Sequence, residues 1–184
     1  LGVPRVRLQQ QKQGTKRCLT MESDAELVRK TLREGNQHFA PLAQRYADYL
    51  FGLAMRLTLG NRPLSEDICQ QALLRSFTYL RSFDQTKTFK HWITGITVNC
   101  YKDLIRQEPK DQPLLSVHEP SYAPDLNGNR EFFKLIAPLN DEEKALFVLR
   151  FIYEYQVNEI AELLGMKIGA VKSKRSRSMA KLQS

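Results

Sequence analysis

Four of the chain's eight prolines, Pro109, Pro113, Pro120 and Pro124, fall within residues 107–130. Proline fixes φ and removes a backbone donor, so a stretch this rich in it belongs to neither a helix nor an interior strand. Asn127-Gly128-Asn129 adds a turn. Residues 107–129 therefore read as an extended linker, with Leu114, Leu115, Val117 and Tyr122 as its apolar groups. The chain is divided into two halves, and 184 residues make each half a small domain.

Both halves carry a helical period. Leu27, Val28 and Leu32 form a short apolar face that stops at Gly35-Asn36. Phe39, Leu42, Tyr46, Leu50, Leu53 and Leu57 form a longer one, with Pro41 in its first turn. Gly60-Asn61-Arg62-Pro63 breaks the chain, and Ser65, followed by Glu66 and Asp67, reads as the cap of a third helix. That helix buries Ile68, Ala72, Leu73, Phe77 and Leu80 and turns Asp67, Gln70, Gln71, Arg75 and Thr78 outward. A fourth follows, with Phe89, Ile93, Ile96, Cys100 and Leu104 on one face. Beyond the linker, Asn140 or Asp141 caps a helix from Glu142 to about Tyr153. A short helix, Val157 to Leu164, ends at Gly165, and a basic helix runs from Ile168 to Leu182. No segment alternates long enough to argue for a sheet, so the fold class is all-α: two small helical domains, 22–106 and 130–184.

The charge is unevenly spread. Residues 1–20 carry five basic groups and no acid, residues 163–184 carry six and no acid, and residues 107–162 are net acidic. Basic ends on a mixed middle suggest a polyanion partner, nucleic acid first. The tail over 1–21 shows no periodicity and reads as disordered, with Met21 a candidate natural start. It lacks the apolar core of a secretory signal, and no apolar run approaches a membrane span. Cys18, Cys69 and Cys100 are isolated, with no CxxC, as expected of small thiols in a reducing cytosol. His38, His91 and His118 lie in separate segments without ligand spacing, so neither a metal nor another cofactor is expected.

Helix, glycine turn and basic helix over 157–182 form a helix-turn-helix candidate. Ile160, Ala161 and Leu164 would face Val171, and Gly165 supplies the turn. The second helix presents Lys172, Ser173, Lys174, Arg175, Ser176 and Arg177, residue types that bond base edges and phosphates in a major groove. In the first half, the polar loop Asp84–Thr88 sits between Phe83 and Phe89 and feeds a helix whose outer face carries Lys90, Thr94, Asn99, Lys102 and Arg106. On residues alone, that face is either the solvated back of a core helix or a surface for an unstacked base and its backbone.

The segment N-E-I-A-E-L-L-G-M-K-I-G-A-V-K-S-K-R-S-R-S-M-A-K-L resembles the C-terminal promoter-reading domain of sigma-70-family sigma factors. Phe89, Trp92, Ile96, Asn99, Asp103 and Arg106 match a pattern of the family's N-terminal domain, and Ser65 to Gln70 resembles the segment before it. Two such matches, in family order with one linker and no middle domain, resemble the extracytoplasmic-function (ECF) group. That resemblance implies a sigma domain 2 over 22–106 and a sigma domain 4 over 130–184. It implies that Asp67, Gln70, Gln71 and Arg75 bind the clamp helices of the largest subunit of core RNA polymerase. It implies that Phe83, Asp84, Gln85, Thr86 and Lys87, with Asn99, Lys102 and Arg106, hold the melted −10 promoter DNA. Lys172, Ser173, Lys174, Arg175, Ser176 and Arg177 would read the −35 element. Phe89 and Trp92 are expected in the core. An anti-sigma factor, often membrane-bound in this group, is the implied regulator, and the cytoplasm the implied compartment.

The sequence departs from the family pattern at Ala170, where Thr is usual, at Arg175 for Leu, at Gln156 for Ser and at Gln71 for Glu. The rival reading is a helix-turn-helix regulator acting on duplex DNA without polymerase, which would not need the block over residues 64–106. An enzyme would need clustered acidic ligands or an activated nucleophile, and Asp84 and Asp103 stand isolated.

Overall fold

A computed structural model of the protein describes residues 22–107 and 129–183. The expected basic tail over 1–21, Cys18, Met21 and the linker residues 108–128 lie outside that range. All regular structure among the described residues is helical. The first half comprises α1 (Asp24–Glu34), α2 (Phe39–Leu57), α3 (Arg62–Thr78) and α4 (Phe89–Gln107), with short 3-10 turns at Asn36–His38 and Leu80–Ser82. The second comprises α5 (Asn129–Ile136), α6 (Asp141–Phe147), α7 (Val157–Leu164) and α8 (Ile168–Gln183).

Most boundaries follow local chemistry. Ser23 caps α1, its Oγ accepting from the Glu26 amide at 3.2 Å. The third helix starts three residues before the expected Ser65. Asn61 caps it, its side chain accepting from the Leu64 amide at 3.2 Å, and Pro63 occupies the first turn, where a missing donor costs nothing. Ser65 is instead fully buried, donating to the Asn61 carbonyl at 2.6 Å and bonded to the Thr58 hydroxyl at 2.8 Å.

Asn140 caps α6 in a reciprocal box with Glu143, both bonds 3.0 Å long. The helix expected to run on to Tyr153 stops being α-helical at Phe147 and widens into a π turn over Val148–Ile152. Glu154 follows at φ 58°, turning the chain so that Tyr153 and Tyr155 reach the first half.

Two apolar cores result. One joins α1, α2 and α4 through Leu27, Val28, Leu42, Leu50, Phe89 and Ile93. The other is shared by the two halves: Leu53, Leu57, Val98 and Tyr101 meet Leu146, Leu149, Ile160 and Leu163. Each such leucine removed from water contributes about 2 kcal/mol. Gly95 sets the approach of α7 to α4. A Cβ there would lie 3.4 Å from Leu163 Cδ2, so a methyl would touch the leucine and a larger side chain would have to displace it. Hydroxyls line the seam. Tyr49 bonds Thr94 at 2.8 Å, Thr94 bonds Tyr155 at 3.1 Å, Arg56 donates to Tyr153 at 3.3 Å, and Tyr101 donates to Asp141 at 3.3 Å.

Cys69 is half-buried and Cys100 buried. Burial pushes their thiols up to about 12 and about 11, so both stay protonated. No described helix is long and apolar enough to cross a membrane.

Candidate nucleic-acid interface

The loop before α4 is held by its own side chains. Asp84 Oδ1 accepts from the Thr86 amide at 3.0 Å and from the Thr86 hydroxyl at 2.8 Å, which holds the Asp84 carboxyl below its usual range. The Lys87 amide donates to the Asp84 carbonyl at 3.0 Å and closes the turn. The Thr88 hydroxyl then accepts from the His91 amide at 3.2 Å and starts α4. Asp84, Gln85, Thr86 and Lys87 are consequently exposed together on one fixed loop.

Phe83 is placed differently from its neighbours. Its ring lies 5.6 Å from Phe89 and 5.1 Å from Trp92, and it is only 9% exposed. Phe89 is buried and Trp92 half-buried in the same cluster, as expected of core aromatics. Phe83 thus forms the floor beneath the loop and not an open wall. Asn99, Lys102 and Arg106 share one face of α4 at spacings of three and four. Asn99 is exposed and stands ten residues beyond Phe89, about 15 Å along the axis of α4.

Two of these cations are already occupied. Lys87 is ion-paired with Glu162 of α7, and His91 Nε2 lies 3.5 Å from the same carboxylate. Lys102 Nζ donates to the Leu164 carbonyl at 2.9 Å. Desolvation pushes the Lys102 ammonium down, opposed by Glu142. His91 is also pushed down by desolvation, against the pull of Glu159.

On α3, Asp67 and Gln70 are exposed and Gln71 and Arg75 half-exposed, all on one stripe. Leu74, 65% exposed, lies at the centre of that stripe, and Tyr79, 57% exposed, follows the helix end. The sequence reading missed both. Leu74 falls outside the buried series, and that offset was the available signal. Arg75 donates to Asp103 on α4 at 2.6 Å, which raises the guanidinium further.

The helix-turn-helix is built as its sequence indicates. Gly165 sits at φ 65°, with its amide on the Glu162 carbonyl at 3.1 Å and the Met166 amide on the Ala161 carbonyl at 2.8 Å. Glu159 accepts from the Gln156 amide at 2.7 Å, which offsets the absent serine cap. Val171 and Ser178 bury the inner face of α8. Lys172, Ser173, Ser176 and Arg177 are exposed on the outer face. Arg175 is half-buried, and Lys174 turns inward to pair with Glu142 of α6. Lys181 holds Glu143 at 2.8 Å, a second tie between α8 and α6.

Residues 42–110 match the sigma-70 region 2 family, and residues 129–182 match the family described as sigma-70, region 4. The ECF RNA polymerase sigma factor SigW of Bacillus subtilis (strain 168) is 28% identical over 173 residues, 84% of this chain and 92% of that protein. The ECF RNA polymerase sigma factor SigE of Mycolicibacterium smegmatis is 29% identical over 153 residues, 77% of this chain and 59% of that longer protein. Among solved structures, the sigma factor RpoE from Bartonella quintana, in complex with the anti-sigma factor NepR, superposes with a TM-score of 0.62 at 21% identity. That match covers 80% of this chain and 95% of the other, a likeness of fold. Two sigma-70 regions in order, on an all-helical fold and with ECF relatives along most of the length, show that the chain belongs to the ECF group of the sigma-70 family.

Proposed function

We propose that the chain is an alternative sigma factor: it binds core RNA polymerase, recognises −35 and −10 promoter elements and starts DNA melting. The observation that carries this is the pairing of a region 2 unit with a region 4 unit in one chain. A duplex-binding regulator has no use for α3 and α4, so the family findings favour the sigma reading over that rival. The units divide at 22–106 and 130–184, with residues 107–129 as the connection.

In this reading Asp67, Gln70, Gln71 and Arg75 dock α3 on the polymerase clamp, and the exposed Leu74 and Tyr79 supply the apolar contact that a stable interface needs. Asp84 to Lys87, with Asn99, Lys102 and Arg106, hold the non-template strand over the Phe83 floor. Unstacking a base costs a few kcal/mol, offset by pocket contacts and strand electrostatics. Lys172, Ser173, Ser176 and Arg177 read the −35 groove, with Arg175 at its edge and Lys174 bracing α8 from behind. The chain carries no catalytic role, and the polymerase does the chemistry. It works in the cytoplasm under the control of an anti-sigma factor; its structural relative RpoE was solved in complex with one. The test is co-elution with core polymerase: a stoichiometric complex supports the reading, and separate elution of folded protein rejects it.

A further inference from the structure

We propose that Ala170 is a specificity-determining residue: its exposed methyl group selects a thymine of the −35 element by contact with the thymine C5-methyl, close to a guanine read by Arg177. The assignment rests on the sigma-factor reading.

The rotation of α8 singles out Ala170. Val171 and Ser178 turn inward and fix which face of the helix is free. Ala170, Ser173 and Arg177 follow at spacings of three and four and are all exposed, so they lie on one outward stripe. Ser173 and Arg177 are already assigned to base reading. Ala170 begins the stripe, in the first turn of α8, and the N-terminal part of a recognition helix is the part that meets base edges. Arg177 leans back along the stripe towards it. Its Nε donates to the Ser173 carbonyl at 3.4 Å, which leaves both terminal nitrogens for the O6 and N7 of a guanine.

The first turn can read a base only through apolar contact. Ile168, Gly169 and Ala170 are all exposed, and none has a side-chain donor or acceptor. The major groove offers such a turn one apolar mark, the C5-methyl of thymine. Ile168, 48% exposed, lies about 160° round the axis from Ala170 and so off the stripe. Gly169 adds no bulk beside Ala170: a Cβ there would meet no atom within 4 Å, so the bare backbone is open to close approach by the groove. Spacing along the helix then sets spacing along the DNA. Ala170 and Arg177 are seven residues apart, about 10 Å along the axis, which is about three base-pair steps. The backward lean of Arg177 shortens this to about two to three steps.

Single-atom changes in the DNA test this. The full chain with core polymerase selects duplexes from a random library, which defines the −35 element. Each thymine of that element is then replaced by deoxyuridine, which lacks only the C5-methyl, and each guanine by 7-deazaguanine, which lacks the N7 acceptor. At one thymine the deoxyuridine exchange should weaken binding about three- to fivefold, the worth of one buried methyl group. Ala170→Gly should bind the thymine and deoxyuridine duplexes equally. Ala180→Gly, the same change at the exposed far end of α8, should keep the wild-type ratio. A merely structural effect of Ala170→Gly would lower both affinities and leave that ratio unchanged. The guanine whose 7-deaza exchange is silent in Arg177→Ala should lie about two to three base pairs from the responding thymine. No methyl-sensitive thymine, an unchanged ratio in Ala170→Gly, or a separation of about five base pairs or more overturns the assignment. A selection that enriches no duplex overturns the sigma-factor reading and the assignment with it, whereas an enriched element without the methyl response overturns the assignment alone.

Discussion

Arg75 on α3 donates to Asp103 on α4 across 2.6 Å, so the helix assigned to the polymerase is tied to the helix assigned to the promoter strand. Both side chains are more than a third exposed, and such a pair contributes about 0–1 kcal/mol to stability. A double-mutant cycle of Arg75→Ala and Asp103→Ala, followed by urea unfolding, should return a coupling in that range. Arg75→Ala should weaken polymerase binding more than Asp103→Ala, because only Arg75 belongs to the docking stripe. Equal losses would remove Arg75 from the contact.

Leu74 is the most exposed large apolar side chain among the described residues. Leu74→Asp should change folding stability by less than about 0.5 kcal/mol, as surface substitutions do. It should lower affinity for core polymerase by on the order of tenfold or more, as loss of an interface anchor does. Binding unchanged in a titration with labelled polymerase would place the docking face elsewhere.

Glu143 links pH to the stability of the second half. Burial pushes its carboxyl up, but Lys181, the Asn140 amide and Ser178 outweigh it and hold the group below the ordinary 4.5. A depressed carboxylate adds stability that is complete above the unfolded-state value and is lost as pH falls through the folded-state value. Thermal melts should therefore fall below about pH 4.5. Glu143→Gln should flatten that fall, at a cost of about 1–2 kcal/mol at neutral pH for the lost ion pair and the loss of charge on the box. An unchanged acid limb would contradict this.

The two halves should fail separately. Arg177→Ala should weaken binding to duplex carrying the −35 element, on the order of tenfold, with melting of pre-bound promoter unaffected. Asn99→Ala should leave duplex binding intact and slow strand opening, seen as reduced permanganate reactivity of −10 thymines. If both variants lose only duplex binding, the division of labour is wrong.

Much of this was legible before the structure, for reasons that differ by element. The helix-turn-helix was readable because Ile160, Ala161, Leu164 and Val171 fix one apolar seam and Gly165 marks the turn. The start of α3 was not. Its cap, Asn61, hides in the Gly60–Pro63 break, and Ser65 looks like a cap when it is a buried hydroxyl bonded to Thr58. Lys174 read as one more DNA-facing cation, because periodicity does not reveal Glu142 opposite it. The shared core was invisible for a related reason. Leu53, Leu57 and Leu164 satisfy the pattern of a self-contained half as well as that of a seam.

A sigma factor directs a polymerase to promoters. The most direct measurement is run-off transcription from a promoter library by core polymerase with and without the folded chain. Chain-dependent transcripts are expected from discrete start sites sharing paired −35 and −10 sequences, abolished by the double variant Asn99→Ala/Arg177→Ala. Transcription no greater than that of core polymerase alone, with a compatible polymerase and folded chain, would contradict it.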